Sequence, residues 1–132
     1  MTEIARSLWN PATEALRAAE VVLPASPDAS ASRAYYAAFY AVSALFARDG
    51  KKYRRHSAVE IAVHRDLVKT GAWPANLGEA YSNLFELRSL SDYGEAEHAT
   101  PEEAKEAIKA AAHILRAVAR AYPAEFPLAS NS

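Results

Sequence analysis

The 132-residue sequence contains no cysteine and no long apolar run. The absence of cysteine excludes thiolate catalysis and cysteine-based zinc sites. No N-terminal basic stretch leads into an apolar segment of about 7 to 15 residues, as a signal peptide requires. No segment approaches the roughly 20 apolar residues of a membrane span. These absences predict a cytoplasmic protein that does not enter a membrane.

Motifs of the common enzyme classes are missing as well. The sequence has no glycine-rich phosphate loop, no Gly-x-Ser-x-Gly nucleophile elbow and no dinucleotide-binding fingerprint. Its histidines form no His-x-x-x-His pair, and no Asp or Glu completes an evident ligand set. We therefore expect no metal ion and no cofactor. His64 is expected to pack in the core, and His98 lies in an acidic loop from which it could reach Arg88.

Acidic and basic residues are nearly balanced over the whole chain, 16 against 15, but they are segregated along it. Residues 48–69 hold seven basic and three acidic residues, a net charge of +4. Residues 86–106 hold seven acidic and two basic residues, a net charge of −5. Such polarity can steer an anionic ligand to one face or let two subunits dock head to tail. It is equally compatible with an ordinary solvated surface.

The pattern of apolar residues and chain breakers predicts an all-α fold, an up-and-down bundle of about five helices. With their caps, the predicted helices span approximately residues 10–22, 28–48, 57–70, 75–92 and 100–122. A chain of this length buries roughly two thirds of its unfolded surface, which is enough for a core without disulfides. We expect one domain over residues 1–132, with its core in about 10–122 and a loose tail over 123–132.

The helix starts carry recognisable capping signals. Asn10-Pro11 is typical of an N-cap followed by proline at the first helical position. Asp28 or Ser30 can cap the second helix. The capping-box spacing, with a glutamate three residues after the cap, occurs at Ser57 and at Thr100.

Arg88 falls in the middle of an apolar stripe on the fourth helix. On a helical wheel it lies close to Leu77, Tyr81 and Leu84. Burying an unpaired guanidinium costs several kcal/mol, so this side chain needs partners. One interpretation is an ion pair with Asp92, four residues later, that fixes the bundle. The other is that Arg88 faces a groove or a symmetric dimer interface and holds an anion such as a phosphate.

The second helix carries a row of polar groups on an otherwise apolar face. Ser32, Tyr36 and Ser43 fall within about 40° of one another on its wheel, and Arg33 flanks them. Buried tyrosine hydroxyls need hydrogen-bond partners. The row is compatible with core tyrosines that bond to a neighbouring helix, and also with a polar pocket that Arg88 completes.

Five segments, in order and spacing, resemble the HEPN family: Ser32-Arg33-Ala34-Tyr35-Tyr36-Ala37-Ala38-Phe39, His56-Ser57-Ala58-Val59, Val68-Lys69-Thr70-Gly71, Phe85-Glu86-Leu87-Arg88 and Ser91-Asp92-Tyr93. The resemblance covers roughly residues 10–120 and is to the small stand-alone prokaryotic members. It implies an α-helical bundle that usually forms a homodimer with a polar groove at the dimer interface.

The resemblance also implies a chemistry. Many HEPN proteins are metal-independent endoribonucleases, often toxins held in check by a minimal nucleotidyltransferase antitoxin. In the family motif, an arginine in the position of Arg88 orients the scissile phosphate, and a histidine after four to six intervening residues acts as general acid or base. Tyr93 occupies the histidine position here. With a usual pKa of about 10, tyrosine is a poor base near neutral pH, but it can donate a hydrogen bond or stack on a nucleobase.

Two functional hypotheses follow from these residues. The leading one is a HEPN domain whose dimer groove binds RNA or a nucleotide, with Arg88 and Tyr93 as candidate catalytic residues. The predicted binding residues are Ser32, Arg33, Tyr36, Arg88 and Asp92. The alternative is a non-catalytic helical interaction module that partners a minimal nucleotidyltransferase or another protein, because the acidic segment would repel a nucleic-acid backbone. By analogy alone, Tyr93 could instead be modified by such a partner.

Overall fold

The computed structural model describes residues 3–93 and 98–128, with side chains up to residue 89 in the first range. In these ranges the chain forms helices and no strand, which confirms the all-α prediction. The elements are α1 (Glu3–Val22), α2 (Pro27–Arg48), α3 (His56–Ala62), a π-helical segment (Val63–Val68), α4 (Ala75–Tyr93) and α5 (Pro101–Ala121). None of the described helices is long and apolar enough to cross a membrane.

The central element is α2, which packs along α1 and also contacts α3, α4 and α5. Small residues make this possible, because short side chains let neighbouring helix axes approach closely. The fully buried alanines of α2 are Ala34, Ala37, Ala38, Ala41 and Ala44. Larger buried side chains, among them Tyr35 and Phe46, fill the space between them. The helix therefore presents buried surface on several sides, and Tyr35 and Tyr36 lie where α3 and α4 meet it.

The first helix begins at Glu3 and passes through Pro11, so the predicted start at Asn10 is wrong. Proline inside a helix removes a backbone hydrogen bond and costs about 3 kcal/mol. Tertiary packing offsets this cost, because Trp9 is buried and its indole N–H donates to the carbonyl of Pro127 at 2.9 Å. Truncating a buried tryptophan typically costs about 3–5 kcal/mol, so burial of the first turns outweighs the local penalty.

The segment after α5 packs on the bundle up to residue 128, contrary to the predicted loose tail. Phe126 is fully buried, with its ring centre 5.2 Å from that of Trp9. Nε of Arg48 donates to Oε2 of Glu125 at 2.7 Å. The core is therefore larger than predicted at both ends of the chain. The last four residues of the predicted tail lie outside the described part.

The cap of α2 differs from the prediction. Ser26-Pro27 provides it, because the Ser26 hydroxyl accepts a hydrogen bond from the Ala29 amide at 3.1 Å and proline is favoured at the first helical position. The predicted cap Ser30 lies inside the helix, where its hydroxyl donates to the carbonyl of Ala19 at 2.7 Å. Asp28 also lies inside the helix, so both predicted caps are wrong.

Of the two capping boxes predicted from the sequence, one is present and the other is absent. At the start of α5, Thr100 and Glu103 form the predicted box. The box predicted at Ser57 is wrong, since α3 already starts at His56 and has no side-chain cap. The predicted third helix also changes its winding after the seven residues of α3, and continues as the π-helical segment.

Candidate anion-binding site

Arg88 on α4 faces the aromatic side chains of α2. Its Nη2 donates a hydrogen bond to the Tyr36 hydroxyl at 3.0 Å. Its guanidinium carbon lies 5.6 Å from the ring centre of Tyr35 and 5.5 Å from that of Tyr36, within the range of cation–π interactions. The structure thus brings together two of the predicted site residues, Arg88 and Tyr36. Their role in binding stays a prediction.

A second guanidinium contacts the same tyrosine. The guanidinium carbon of Arg33, three residues before Tyr36 on α2, lies 5.0 Å from the Tyr36 ring centre. Two positive charges therefore flank one aromatic ring. Because the Tyr36 hydroxyl accepts from Arg88, its own proton remains available to donate to an anion.

His56, the first residue of α3, reaches this site from a third direction. Its Nδ1 shares a hydrogen bond of 2.6 Å with the Tyr35 hydroxyl. Its ring stacks on Phe39, with centres 4.3 Å apart and planes at 20°. It also meets Tyr36 edge-on at 5.7 Å. Three neighbours fix the half-buried imidazole. We call the whole set the arginine–aromatic cluster: Arg33, Tyr35, Tyr36, Phe39, His56 and Arg88.

The electrostatics of the cluster set the protonation of its titratable groups. Partial burial, followed by the nearby Arg88 guanidinium, lowers the pKa of the His56 imidazole below its usual 6.5. Burial raises the pKa of the Tyr35 hydroxyl to about 12, and the opposing effect of Arg88 is smaller. At neutral pH the cluster therefore combines a neutral imidazole and a protonated phenol with two guanidinium cations.

The remaining predicted site residues lie at the edges of the cluster or beyond the described side chains. Ser32 is half-buried on α2, one turn before Tyr36 on the same face. The backbone of α4 continues through Asp92 and Tyr93, but their side chains lie outside the described residues. The pairing of Asp92 with Arg88 and the role of Tyr93 therefore stay predictions.

His98 does not reach Arg88 as predicted. Its Nδ1 lies 2.6 Å from Oδ2 of Asp28, at the start of α2. The second carboxylate oxygen of Asp28 accepts from the Ala99 amide, also at 2.6 Å. Asp28, which was predicted to be a helix cap, instead holds the segment before α5 against the first turn of α2.

His64 packs between the π-helical segment and α4, which confirms its predicted structural role. Its Nε2 lies 2.7 Å from the Ser82 hydroxyl. A methyl group placed on Gly78 would come within 3.1 Å of the imidazole and 2.6 Å of Cγ2 of Val68. The close contact between these two elements thus requires glycine at position 78.

Three members of the cluster were not among the predicted site residues: Tyr35, Phe39 and His56. Tyr35 and Phe39 are four residues apart on α2, a spacing that places them on one face, and this spacing is a usable signal. His56 begins one of the segments that resemble the HEPN family. Its contact with Tyr35, 21 residues earlier, depends on how α3 packs on α2, and no local pattern encodes that packing.

A groove of about 520 Å³ separates α4 from α5. Its floor is apolar and includes Leu84, Leu87 and Ala107. Four glutamates border it, namely Glu86, Glu102, Glu103 and Glu106. We call this feature the acidic groove. Neither these glutamates nor the other described residues form a group of three or more His, Asp or Glu that could hold a metal ion.

Comparison with known proteins agrees with the helical architecture. A family profile for the HEPN domain matches residues 5–121, a range that contains every residue of the arginine–aromatic cluster. A UPF0332 protein of Thermotoga maritima is 41% identical over 87 residues, which is 66% of this chain and 66% of that relative. Because the profile match spans all five helices, the chain belongs to the HEPN domain family.

Proposed function

We propose that the chain binds RNA, or a nucleotide, through the arginine–aromatic cluster. The observation that carries this proposal is that the guanidinium groups of Arg33 and Arg88 flank the ring of Tyr36. Guanidinium groups match the geometry of phosphate oxygens, and the Tyr36 hydroxyl adds a donor. Aromatic rings and guanidinium planes also stack on unpaired bases. The cluster therefore offers both kinds of contact that a single-stranded nucleic acid uses.

Exposed cations beside the cluster favour a strand over a lone nucleotide. Arg54 and Arg55 directly precede His56 and are exposed, as are Lys51 and Lys52. If one phosphate of an RNA strand binds at Arg88, the neighbouring phosphates of the strand would extend past these side chains. A mononucleotide would leave them unused.

The proposed site also includes the predicted residues at its edges. Ser32 would donate a further hydrogen bond from α2, Asp92 would hold Arg88 in position, and Tyr93 would donate to a phosphate oxygen or stack on a base. We propose that two copies of the chain form a homodimer with their clusters along one groove, as the family resemblance implies. Two clusters would double the number of cations that a strand meets.

A second candidate function is an interaction module that partners a minimal nucleotidyltransferase or another protein. The acidic groove supports it, because four glutamates around an apolar floor suit a basic amphipathic segment and repel a nucleic-acid backbone. Salt separates the two candidates. RNA affinity falls steeply between about 50 and 200 mM salt, whereas a complex held by buried apolar surface changes little.

Fluorescence anisotropy with a labelled single-stranded RNA tests the proposal. We expect Arg88→Ala to weaken binding about 10- to 100-fold, because hydrogen bonds to charged groups contribute about 1.5–3 kcal/mol. The slope of log affinity against log salt should fall by about one, as for the loss of one phosphate contact. Circular dichroism and thermal unfolding establish that the variant is folded.

Arg116→Ala is the matched control for this experiment. Arg116 is exposed on α5, so its loss removes the same charge from the chain but nothing from the cluster. We expect its affinity and salt slope to stay close to those of the wild type. Equal weakening by Arg88→Ala and Arg116→Ala would leave only a general charge effect, and the absence of RNA binding by the wild type would contradict the proposal outright.

A further inference from the structure

We propose that His56 is the general base with which this chain cleaves RNA. The inference rests on the proposed RNA binding and extends it to a reaction. The three positions that follow Arg88 after four, five and six intervening residues hold tyrosine, glycine and glutamate, and none of them holds histidine. The structure instead brings a histidine to Arg88 from a different helix, α3.

His56 and Arg88 contact the same two tyrosine rings. The ring centre of His56 lies 5.6 Å from that of Tyr35 and 5.7 Å from that of Tyr36. The guanidinium carbon of Arg88 lies 5.6 Å and 5.5 Å from the same two centres. The Arg88 guanidinium is also close enough to act electrostatically on the imidazole, and on this basis we place a phosphodiester bound to Arg88 at the Tyr36 hydroxyl within reach of His56. A general base needs this proximity to the proton that it removes.

The contacts of His56 select the nitrogen that acts. Nδ1 is occupied by the hydrogen bond with the Tyr35 hydroxyl, and Phe39 covers one face of the ring. Nε2 is thus the nitrogen left for a ligand. When Nδ1 donates to Tyr35, Nε2 carries the lone pair and accepts a proton, and the same hydrogen bond persists in the imidazolium. Tyr35 is therefore a positioning residue, like the third group that orients a catalytic base.

The surroundings of His56 keep it in the basic form at neutral pH. Arg88 is the charged group that acts on the imidazole. Arg55, which is exposed, directly precedes His56 in the chain, and Glu60 lies one turn later on α3 and acts on Tyr35. Partial burial and Arg88 together lower the pKa of His56. The imidazole is therefore neutral and ready to accept a proton, while the guanidinium groups carry the positive charge that the phosphate requires.

The reaction that this arrangement performs is a transesterification within the RNA strand. Nε2 of His56 takes the proton of a ribose 2′-hydroxyl, the 2′-oxygen bonds to phosphorus, and the bond from phosphorus to the 5′-oxygen breaks. The departing 5′-oxygen takes a proton from water, and the imidazolium then neutralises the hydroxide. Arg88 stabilises the charge that builds on the phosphoryl oxygens. The products carry a 2′,3′-cyclic phosphate and a 5′-hydroxyl.

Cleavage of an end-labelled RNA oligonucleotide in EDTA tests the inference. We expect the wild type to produce fragments with 2′,3′-cyclic phosphate ends. At saturating RNA, His56→Ala should cleave about 10²- to 10⁴-fold more slowly, the usual contribution of general acid–base catalysis. The matched control is His64→Ala, which removes another half-buried histidine with a hydroxyl partner and should retain the cleavage rate while folded.

Two further measurements separate catalysis from a structural role. Added imidazole should restore part of the cleavage rate of His56→Ala, which a merely misfolded site would not show. The cleavage rate of the wild type should rise with pH through a midpoint below 6.5, the usual pKa of histidine, and His56→Gln should lose this rise. Tyr35→Phe, which keeps the ring and removes the hydroxyl, should shift the midpoint.

The outcomes distinguish this inference from the proposed function. If the wild type binds RNA in an Arg88-dependent manner but leaves it intact, the role of His56 is overturned and RNA binding stands. The same holds if His56→Ala cleaves at the wild-type rate. If neither binding nor cleavage depends on Arg88, the proposed function itself fails.

Discussion

Two histidines of this chain, His56 and His64, have similar local contacts and different surroundings. Each is half-buried and lies within hydrogen-bonding distance of a hydroxyl group, at 2.6 Å and 2.7 Å. His56 lies among aromatic rings beside Arg88, whereas His64 lies in a tight helix contact against Gly78. A hydroxyl partner alone therefore does not distinguish the proposed base, His56, from the packing residue His64. The feature that distinguishes His56 is the neighbouring Arg88 cation, which in the proposed reaction holds the anionic substrate.

Gly78→Val, at the helix contact that contains His64, is expected to have the largest effect on stability. A Cβ atom at position 78 would lie 2.6 Å from Cγ2 of Val68 and 3.1 Å from Cε1 of His64, so the valine side chain has no free space on either side. Overpacking of this kind costs about 1–3 kcal/mol. Urea unfolding should therefore show a reduced free energy of unfolding, while RNA affinity, measured where the variant is folded, should not change.

Ala80→Val is the control for this prediction. Ala80 lies on the same helix but borders the acidic groove, where a larger side chain has space. We expect a loss of no more than about 0.6 kcal/mol, the range of helix propensities among ordinary residues. If both variants lost the same stability, the tight packing around His64 would not be the cause.

A smaller effect is expected from Ser82→Ala, which removes the hydroxyl partner of His64. The hydrogen bond joins the π-helical segment to α4, and loss of one such bond costs about 1 kcal/mol. We expect urea unfolding to show this decrease, with RNA binding and cleavage unaffected. A clear fall in RNA affinity would make the His64 site part of the function and would remove the contrast with His56.

Much of the fold could be predicted from local sequence, because helix periodicity and helix-stopping residues are local properties. The failures have non-local causes. Pro11 looks like a helix start, but the burial of Trp9 extends the helix on the other side of it. Asp28 looks like a cap, but its carboxylate is used by the segment before α5.

The candidate site could be predicted only where one helix face carries the signal. Arg88 and Tyr36 each occupy an unusual place on their own helical wheel, and the structure joins them. His56 carries no such signal, because it begins a short helix after a basic loop. Its place in the cluster depends on the approach of α3 to α2, which brings its ring onto Phe39.

The smallest expected effect is the pH dependence of stability that His56 contributes. Its pKa in the folded chain is lower than the usual 6.5, so between these two values the unfolded chain binds more protons than the folded chain. Stability from this group is therefore present above pH 6.5 and is lost as the pH falls through the lower pKa of the folded state. The stability advantage of the wild type over His56→Gln in urea unfolding should shrink between pH 7 and pH 5. If the stability advantage of the wild type instead grew on acidification, the cluster would favour the charged imidazole. His56 would then not be the neutral base that we propose, and its contrast with His64 would be lost.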